Sequence, residues 1–319
     1  MRKLGLSIVL AVLVYGVFAA LTDVRALGSA LTSIDPRAVV IALALSTANY
    51  LVRFGRWSLY LRKLGVRVAW RPSLTVFVAG LLMSITPGKL GEAWKSLLLK
   101  ESTGVPVTRT AGIVVAERVT DLLALLALMS LAAFRSVDLR LALLALALTL
   151  GVCAFFAFPA LSSPVVAALR RLERDALAER VERFFTSTGE LLGPSLLVQG
   201  TLIACAAWAL EAEGLSILAD GLGLELPRSD AFFIYATATL AGGLAMLPGG
   251  LGVTEGSMAA LLGRALPGAT APDRMALTLF SRCTTLWWGV LLGACANLLH
   301  VHARRRHRNA VDTGPSRLP

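Results

Sequence analysis

Eleven charged residues stand in or beside apolar runs of this chain: Arg53, Arg56, Lys89, Glu92, Lys95, Glu117, Arg118, Asp121, Glu211, Glu255 and Arg282. At the centre of a bilayer each costs about 2.5–3.5 kcal/mol. They must therefore be paired, hydrated or close to the interface. Buried cations suit anion binding. Buried carboxylates suit neutralising those cations, or carrying protons. Spacing adds detail. Asn49, Arg53 and Trp57 recur at i, i+4 and share a helix face, and Arg118 and Asp121 can pair at i, i+3. Arg53 and Arg56 stand near a basic helix end, where snorkelling is the competing, purely structural reading of each. Glu211, Glu255 and Arg282 lie deeper in their segments.

Two stretches break the apolar pattern, "SITPGKLGEAWKS" at 84–96 and "AMLPGGLGVTEGS" at 245–257. Both contain P-G-x-L-G. Proline interrupts a helix, and irregular backbone survives in a membrane only when buried in protein or lining a wet cavity. A half-helix starting after each proline would present free N–H groups and roughly half a positive charge. Glycines would let a ligand approach that backbone, which suits phosphate. The candidate substrate-binding residues are Pro87, Gly88, Lys89, Gly91, Glu92, Arg118, Asp121, Pro248, Gly249, Gly250, Gly252, Glu255 and Arg282. Arg53, Glu117 and Glu211 are the supporting charges. The competing reading is a hairpin turn that only allows close packing.

The elements that must position these residues are long apolar helices. Of 319 residues, 56% are hydrophobic and only 16% charged, against about 25% charged in soluble domains. The expected fold is an all-α polytopic membrane protein. Six full spans are expected, at about 4–22, 37–62, 109–134, 139–161, 195–219 and 273–300. Two further apolar segments, 73–100 and 229–263, are expected to be re-entrant half-helix hairpins. Basic residues cluster at Arg2 and Lys3, at 53–71, in the polar segment 162–194 and in "ARRRHR". By the positive-inside rule they place both termini on the cytoplasmic side of the membrane. The charged segment 162–194 reads as a partly amphipathic helix on the membrane surface or in solution.

The chain also reads as a repeat. Residues 63–66, "KLGV", match 221–224, "GLGL". The two P-G-x-L-G breaks lie 161 residues apart. "ERVTDLL" at 117–123 matches "SRCTTLW" at 281–287. Arg118 then corresponds to Arg282, Asp121 to Thr285, and Arg53 falls opposite Glu211. The units begin in opposite orientations, as in the inverted-topology repeats of secondary transporters. The organisation is an N-terminal helix (1–34), repeat 1 (35–135), a connecting span and charged helix (136–194), repeat 2 (195–300) and a basic tail (301–319).

Several functions are disfavoured. The net charge of +11 marks the cytoplasmic side and does not point to nucleic acid. The cysteines at 153, 205, 283 and 295 form no CxxC pair and read as small buried hydrophobes. No Walker A or HExxH sequence occurs, and the three histidines are at 300, 302 and 307. Neither a cofactor nor a metal is expected.

"TPGKLGEAWKSLLL", "ERVTDLLALLAL" and "LPGGLGVTEGSMAALL" resemble the lysylphosphatidylglycerol synthase transmembrane-region family of flippase-like membrane proteins. The family includes the flippase part of MprF-type proteins, and the resemblance runs from about 35 to 300. It implies a lipid translocase, with membrane lipids bearing phosphate head groups as partners. The synthase activity of MprF-type proteins belongs to a separate soluble domain and is not carried over, so no enzyme is expected. The alternatives are an intramembrane lipid head-group enzyme, or a membrane scaffold for a lipid-synthesis enzyme. The resemblance leaves the lipid open between an anionic or modified phospholipid, a hopanoid-related lipid and a polyprenyl phosphate.

Overall fold

Two helices of equal length form the largest interface in the computed structural model. The structure describes residues 23–86, 94–132, 159–172 and 175–299, with three isolated positions besides. The pair are α2 (Pro36–Lys63) and α8 (Pro194–Gly221), each of 28 residues. Each has proline in its first turn, where the missing N–H costs nothing. Each ends in the same way, on a glycine with positive φ, Gly65 (68°) and Gly223 (72°). Val66 N–H closes onto Leu61 C=O, and Leu224 N–H onto Ala219 C=O, both at 2.9 Å. This is the paired-bond ending that a left-handed glycine permits. All these landmarks are 158 residues apart.

The helices approach closely because their contact faces are small. Ala38, Ala42, Ser46 and Asn49 are buried on α2, against Ala204, Ala207 and Gly214 on α8. A Cβ at Gly221 would collide with Ala38, and one at Gly200 with the Tyr60 hydroxyl. Close approach of small residues is how helices associate where burial from lipid gives no hydrophobic gain. Asn49 Nδ2 donates to Ala207 C=O at 2.7 Å. Those two positions are also 158 apart, so the helix pair crosses at equivalent points.

The remaining described helices surround this pair. They are α1 (Val24–Ser33), α3 (Trp70–Leu81, extended by a 3₁₀ turn at Leu82–Ile85), α4 (Trp94–Thr103), α5 (Val107–Ala132), α6 (Pro159–Arg171), α7 (Asp175–Leu191), α9 (Arg228–Leu244), α10 (Val253–Ala265) and α11 (Ala271–Arg282). A turn of π-helix at Cys283–Trp287 continues α11, and the helix runs to Leu299. No strand occurs among the described residues. Three described helices are long and apolar enough to cross a membrane: Pro36–Lys63, Pro194–Gly221 and Ala271–Leu299. The chain is therefore an all-helical membrane protein.

Several expectations shift. The segments at 4–22 and 139–158 lie outside the described residues, apart from three single positions. A separate short helix, α1, follows the first segment and buries Leu27 and Ala30 against Met275 and Ala276. The charged segment 162–194 is two helices and does not stand free in solution. Its second helix, α7, docks on α5, with Ser187 and Thr188 filling the space that Gly112 leaves open. The cysteines are less buried than expected. Cys283 and Cys295 are exposed and Cys205 is half-buried, and Cys153 lies outside the described residues. An apolar run has a lipid-facing side as well as a core side, and composition alone does not say which side holds a cysteine.

Candidate functional site

Both broken segments were expected to restart as helices at their prolines. Around Pro248 the structure differs. Pro248–Gly250 is a 3₁₀ turn, and α10 begins only at Val253, after Gly252. Three glycines in the break have positive φ: Gly249 (61°), Gly250 (68°) and Gly252 (84°). A side chain would be strained at each. Met246 also has positive φ, 56°, an uncommon and costly conformation for a residue with a Cβ.

The break is tied down from within. Glu255 reaches back, and its Oε2 accepts the Gly252 N–H at 2.7 Å. Its Oε1 accepts Arg282 Nε at 2.7 Å, and Arg282 Nη2 donates to Gly249 C=O at 2.6 Å. Gly250 and Leu251 donate their amides to Leu247 and Pro248 carbonyls. Three amides expected to face a ligand are thus used inside the loop. The positive charge at this end comes from the Arg282 guanidinium more than from a bare helix terminus.

In the first break, Pro87, Gly88, Lys89, Gly91 and Glu92 lie outside the described residues. Its described flanks do reach the second break. The 3₁₀ turn Leu82–Ile85 packs on Pro248–Gly250, and a Cβ at Gly249 would sit 3.6 Å from Ile85 Cα.

Between the flanks and the central helix pair is a cavity of about 440 Å³, within the range of small-molecule sites. Arg53, Lys95, Arg118 and Arg282 line it, with Asp121 and Glu211. So do Gly249 and Gly250 of the second break. At its mouth, Leu244, Met246 and Leu247 are exposed as well as lining.

The charges fall into four groups. Asp121 on α5 is the hub of the first. It accepts from Arg56 at 2.7 Å, forms an ion pair with Arg118 at 3.0 Å, and lies 3.7 Å from Arg53. Trp208 Nε1 donates to it at 3.2 Å, and the Arg53 guanidinium stacks 5.5 Å from the Trp208 ring centroid. In the second, Lys95 on α4 meets Glu117 on α5 at 2.6 Å, with Trp57 and Phe77 rings 4.9 and 5.2 Å from the ammonium. In the third, Tyr235 on α9 donates to Glu211 on α8 at 2.6 Å. The Arg282–Glu255 clamp is the fourth. Tyr50 OH also donates, at 2.6 Å, to Thr285 C=O inside the π-turn of α11. Such turns often sit at functional sites, because they interrupt the regular carbonyl ladder.

The sequence-predicted residues Arg53, Arg118, Asp121, Glu211, Gly249, Gly250 and Arg282 therefore meet at one cavity, with Glu117, Gly252 and Glu255 directly behind its charged lining. Pro248 starts the turn that carries Gly249 and Gly250. Two readings need correction. Arg56 is fully buried and holds Thr120 and Asp121, so it does not snorkel. Arg53 likewise turns inward, with a side chain only 12% exposed. Their proximity to a basic helix end was misleading, because Asp121 on another helix draws them in. Lys95, Tyr50, Trp208 and Tyr235 were missed as site residues. Trp208 and Glu211 share a face at i, i+3, which is a signal. Tyr235 has none.

Long apolar helices around a charge-lined cavity define an integral membrane protein of the helical class. The family model described as the lysylphosphatidylglycerol synthase TM region matches residues 4–293, and the chain belongs to that family. It is also similar to a UPF0104 membrane protein of Methanothermobacter thermautotrophicus, 24% identical over 295 residues, covering 84% of this chain and 86% of that protein.

Proposed function

We propose that the protein is a lipid flippase or transporter of the bacterial inner membrane, with both termini cytoplasmic. It moves an anionic or modified phospholipid, or a polyprenyl phosphate. The observation that carries this reading is the cavity. Among the described residues four cations line it against two carboxylates, and its rim is apolar. A phosphate would sit among Arg53, Arg118, Lys95 and Arg282, while acyl chains leave past Leu244, Met246 and Leu247 into the bilayer. The matching ends of α2 and α8, and the packing of the turn Leu82–Ile85 beside the first break on Pro248–Gly250, support the reading of an inverted repeat with its hairpins at the site. Rocking one unit against the other would then expose the cavity to each side in turn. Pro87, Gly88, Lys89, Gly91 and Glu92 would complete it from the first break.

The test is translocation of a labelled phosphate-bearing lipid in reconstituted vesicles. Arg118→Ala and Arg282→Ala are each expected to reduce the rate by about tenfold or more, the usual scale for removing a charged contact to a buried anion. Wild-type rates in both variants would sink the assigned site. Chemical change in the labelled lipid, without movement, would favour the head-group enzyme.

A further inference from the structure

Three arginines converge on one carboxylate, and they do so unequally. Arg56 Nη2 donates to Asp121 Oδ1 at 2.7 Å and its Nη1 to Thr120 Oγ1 at 2.9 Å. Trp208 Nε1 donates to the same Oδ1. The other oxygen, Oδ2, faces Arg118 at 3.0 Å and Arg53 at 3.7 Å. Exposure follows the same division. The Arg56 side chain is 0% exposed, Arg53 12% and Arg118 29%. Arg53, Arg118 and Asp121 line the cavity; Arg56 stands behind it. One carboxylate oxygen is thus fastened to the interior. The other sits between two cavity arginines, where an oxygen of a bound anion would sit.

We propose that Asp121 is a resident anion that competes with the substrate's phosphate for Arg53 and Arg118. It is then not itself a ligand of the lipid. This rests on the lipid-phosphate reading above. In the empty site Oδ2 partly neutralises both guanidiniums. When a phosphate enters, the two guanidiniums turn to its oxygens. Asp121 keeps Arg56, Thr120's partner, as its counter-ion, so the exchange strands no buried charge. Stranding one is what makes a broken buried pair costly. The exchange also lowers net affinity, which a transporter needs if it is to release its cargo. Arg282 is held differently, at Nε by Glu255 and at Nη2 by the Gly249 carbonyl. Its equivalent of Asp121 is Thr285, which carries no charge. The competitor therefore belongs to one half of the site.

The prediction has an unusual sign. In the solubilised full-length chain, Asp121→Asn is expected to bind short-chain phosphatidylglycerol about tenfold more tightly, the scale of a typical coupling between two ligands. Diacylglycerol binding stays the same, and vesicle translocation slows because release slows. Arg56→Gln leaves the full charge of Asp121 on Arg53 and Arg118. It is expected to weaken phosphatidylglycerol binding by about tenfold on the same scale, again with diacylglycerol unchanged. Weaker or unchanged phosphatidylglycerol binding in Asp121→Asn overturns the proposal. If that variant does not fold, Arg56→Gln decides. Unchanged affinity, or equal loss of both probes, overturns the proposal. A wild type that does not prefer phosphatidylglycerol over diacylglycerol overturns the lipid-phosphate reading and this one with it. A wild type that does prefer it, with Asp121→Asn no tighter, overturns the competition alone.

Discussion

Replacing Lys95 with methionine is expected to destabilise the protein by about 3–5 kcal/mol, the usual cost of removing one member of a buried ion pair. Methionine keeps most of the stem and loses the charge. Glu117 is then left in a pocket where its side chain is 1% exposed. Its Oε1 already has no hydrogen-bond partner among the described residues, so the Oε2 bond to Lys95 is the principal one it would lose. The Lys95 stem crosses α3 at Gly80, where a Cβ would collide with it. The check is thermal unfolding in detergent. Lys95→Met/Glu117→Leu should recover most of the loss, because replacing a whole buried pair by apolar groups is often close to neutral. An undisturbed single variant, or a double variant as unstable as the single, would show that the pair does not hold α4 to α5.

The second large effect is expected at Glu255. One carboxylate serves two partners, the Gly252 amide and Arg282. Glu255→Ala removes both and leaves Arg282 buried beside a loop of three positive-φ glycines. The ion pair alone sets a cost of about 3–5 kcal/mol, and the helix cap adds about 0.5–2 kcal/mol. Glu255→Gln separates the two. Its amide oxygen can still accept the Gly252 N–H, so it should lose less than alanine while still releasing Arg282. Thermal unfolding of the three proteins side by side gives the order: wild type, then glutamine, then alanine. Equal loss in both variants would remove the capping role.

These two pairs show what the sequence displayed and what it withheld. The break at Pro248 was legible, because proline and glycines interrupt the apolar run there, and the structure shows a 3₁₀ turn between two helices. The ends of the two long helices, expected near 62 and 219, fall at Lys63 and Gly221, while "KLGV" and "GLGL" read only as matching segments and not as the glycine endings seen at Gly65 and Gly223. The position of α10 was not legible. Pro248 looked like a helix start, but Gly252, with φ of 84°, cannot lie within one. The charge pairing was half legible. Arg118 and Asp121 are neighbours on one helix and were paired by spacing. Arg56–Asp121, Lys95–Glu117 and Arg282–Glu255 each join two helices. Nothing local announces such contacts. Lys95–Glu117 and Arg282–Glu255 do share a plan, in which the helix after a break is ionically joined to the long helix that follows. The signs are reversed between the two pairs, with the cation first in Lys95–Glu117 and second in Glu255–Arg282, so residue-by-residue matching does not bring them together.

A lipid phosphate in the cavity would be visible directly. The most direct measurement is an experimental structure of the protein in a lipid bilayer disc containing phosphatidylglycerol. The predicted result is head-group density in the cavity, with the phosphorus about 4 Å from the Arg53 and Arg118 guanidinium nitrogens, as in charge-assisted contacts. Acyl density should run out past Leu244 and Met246. A cavity filled only by water or by acyl chains, with Arg53 and Arg118 still on Asp121, would contradict the account.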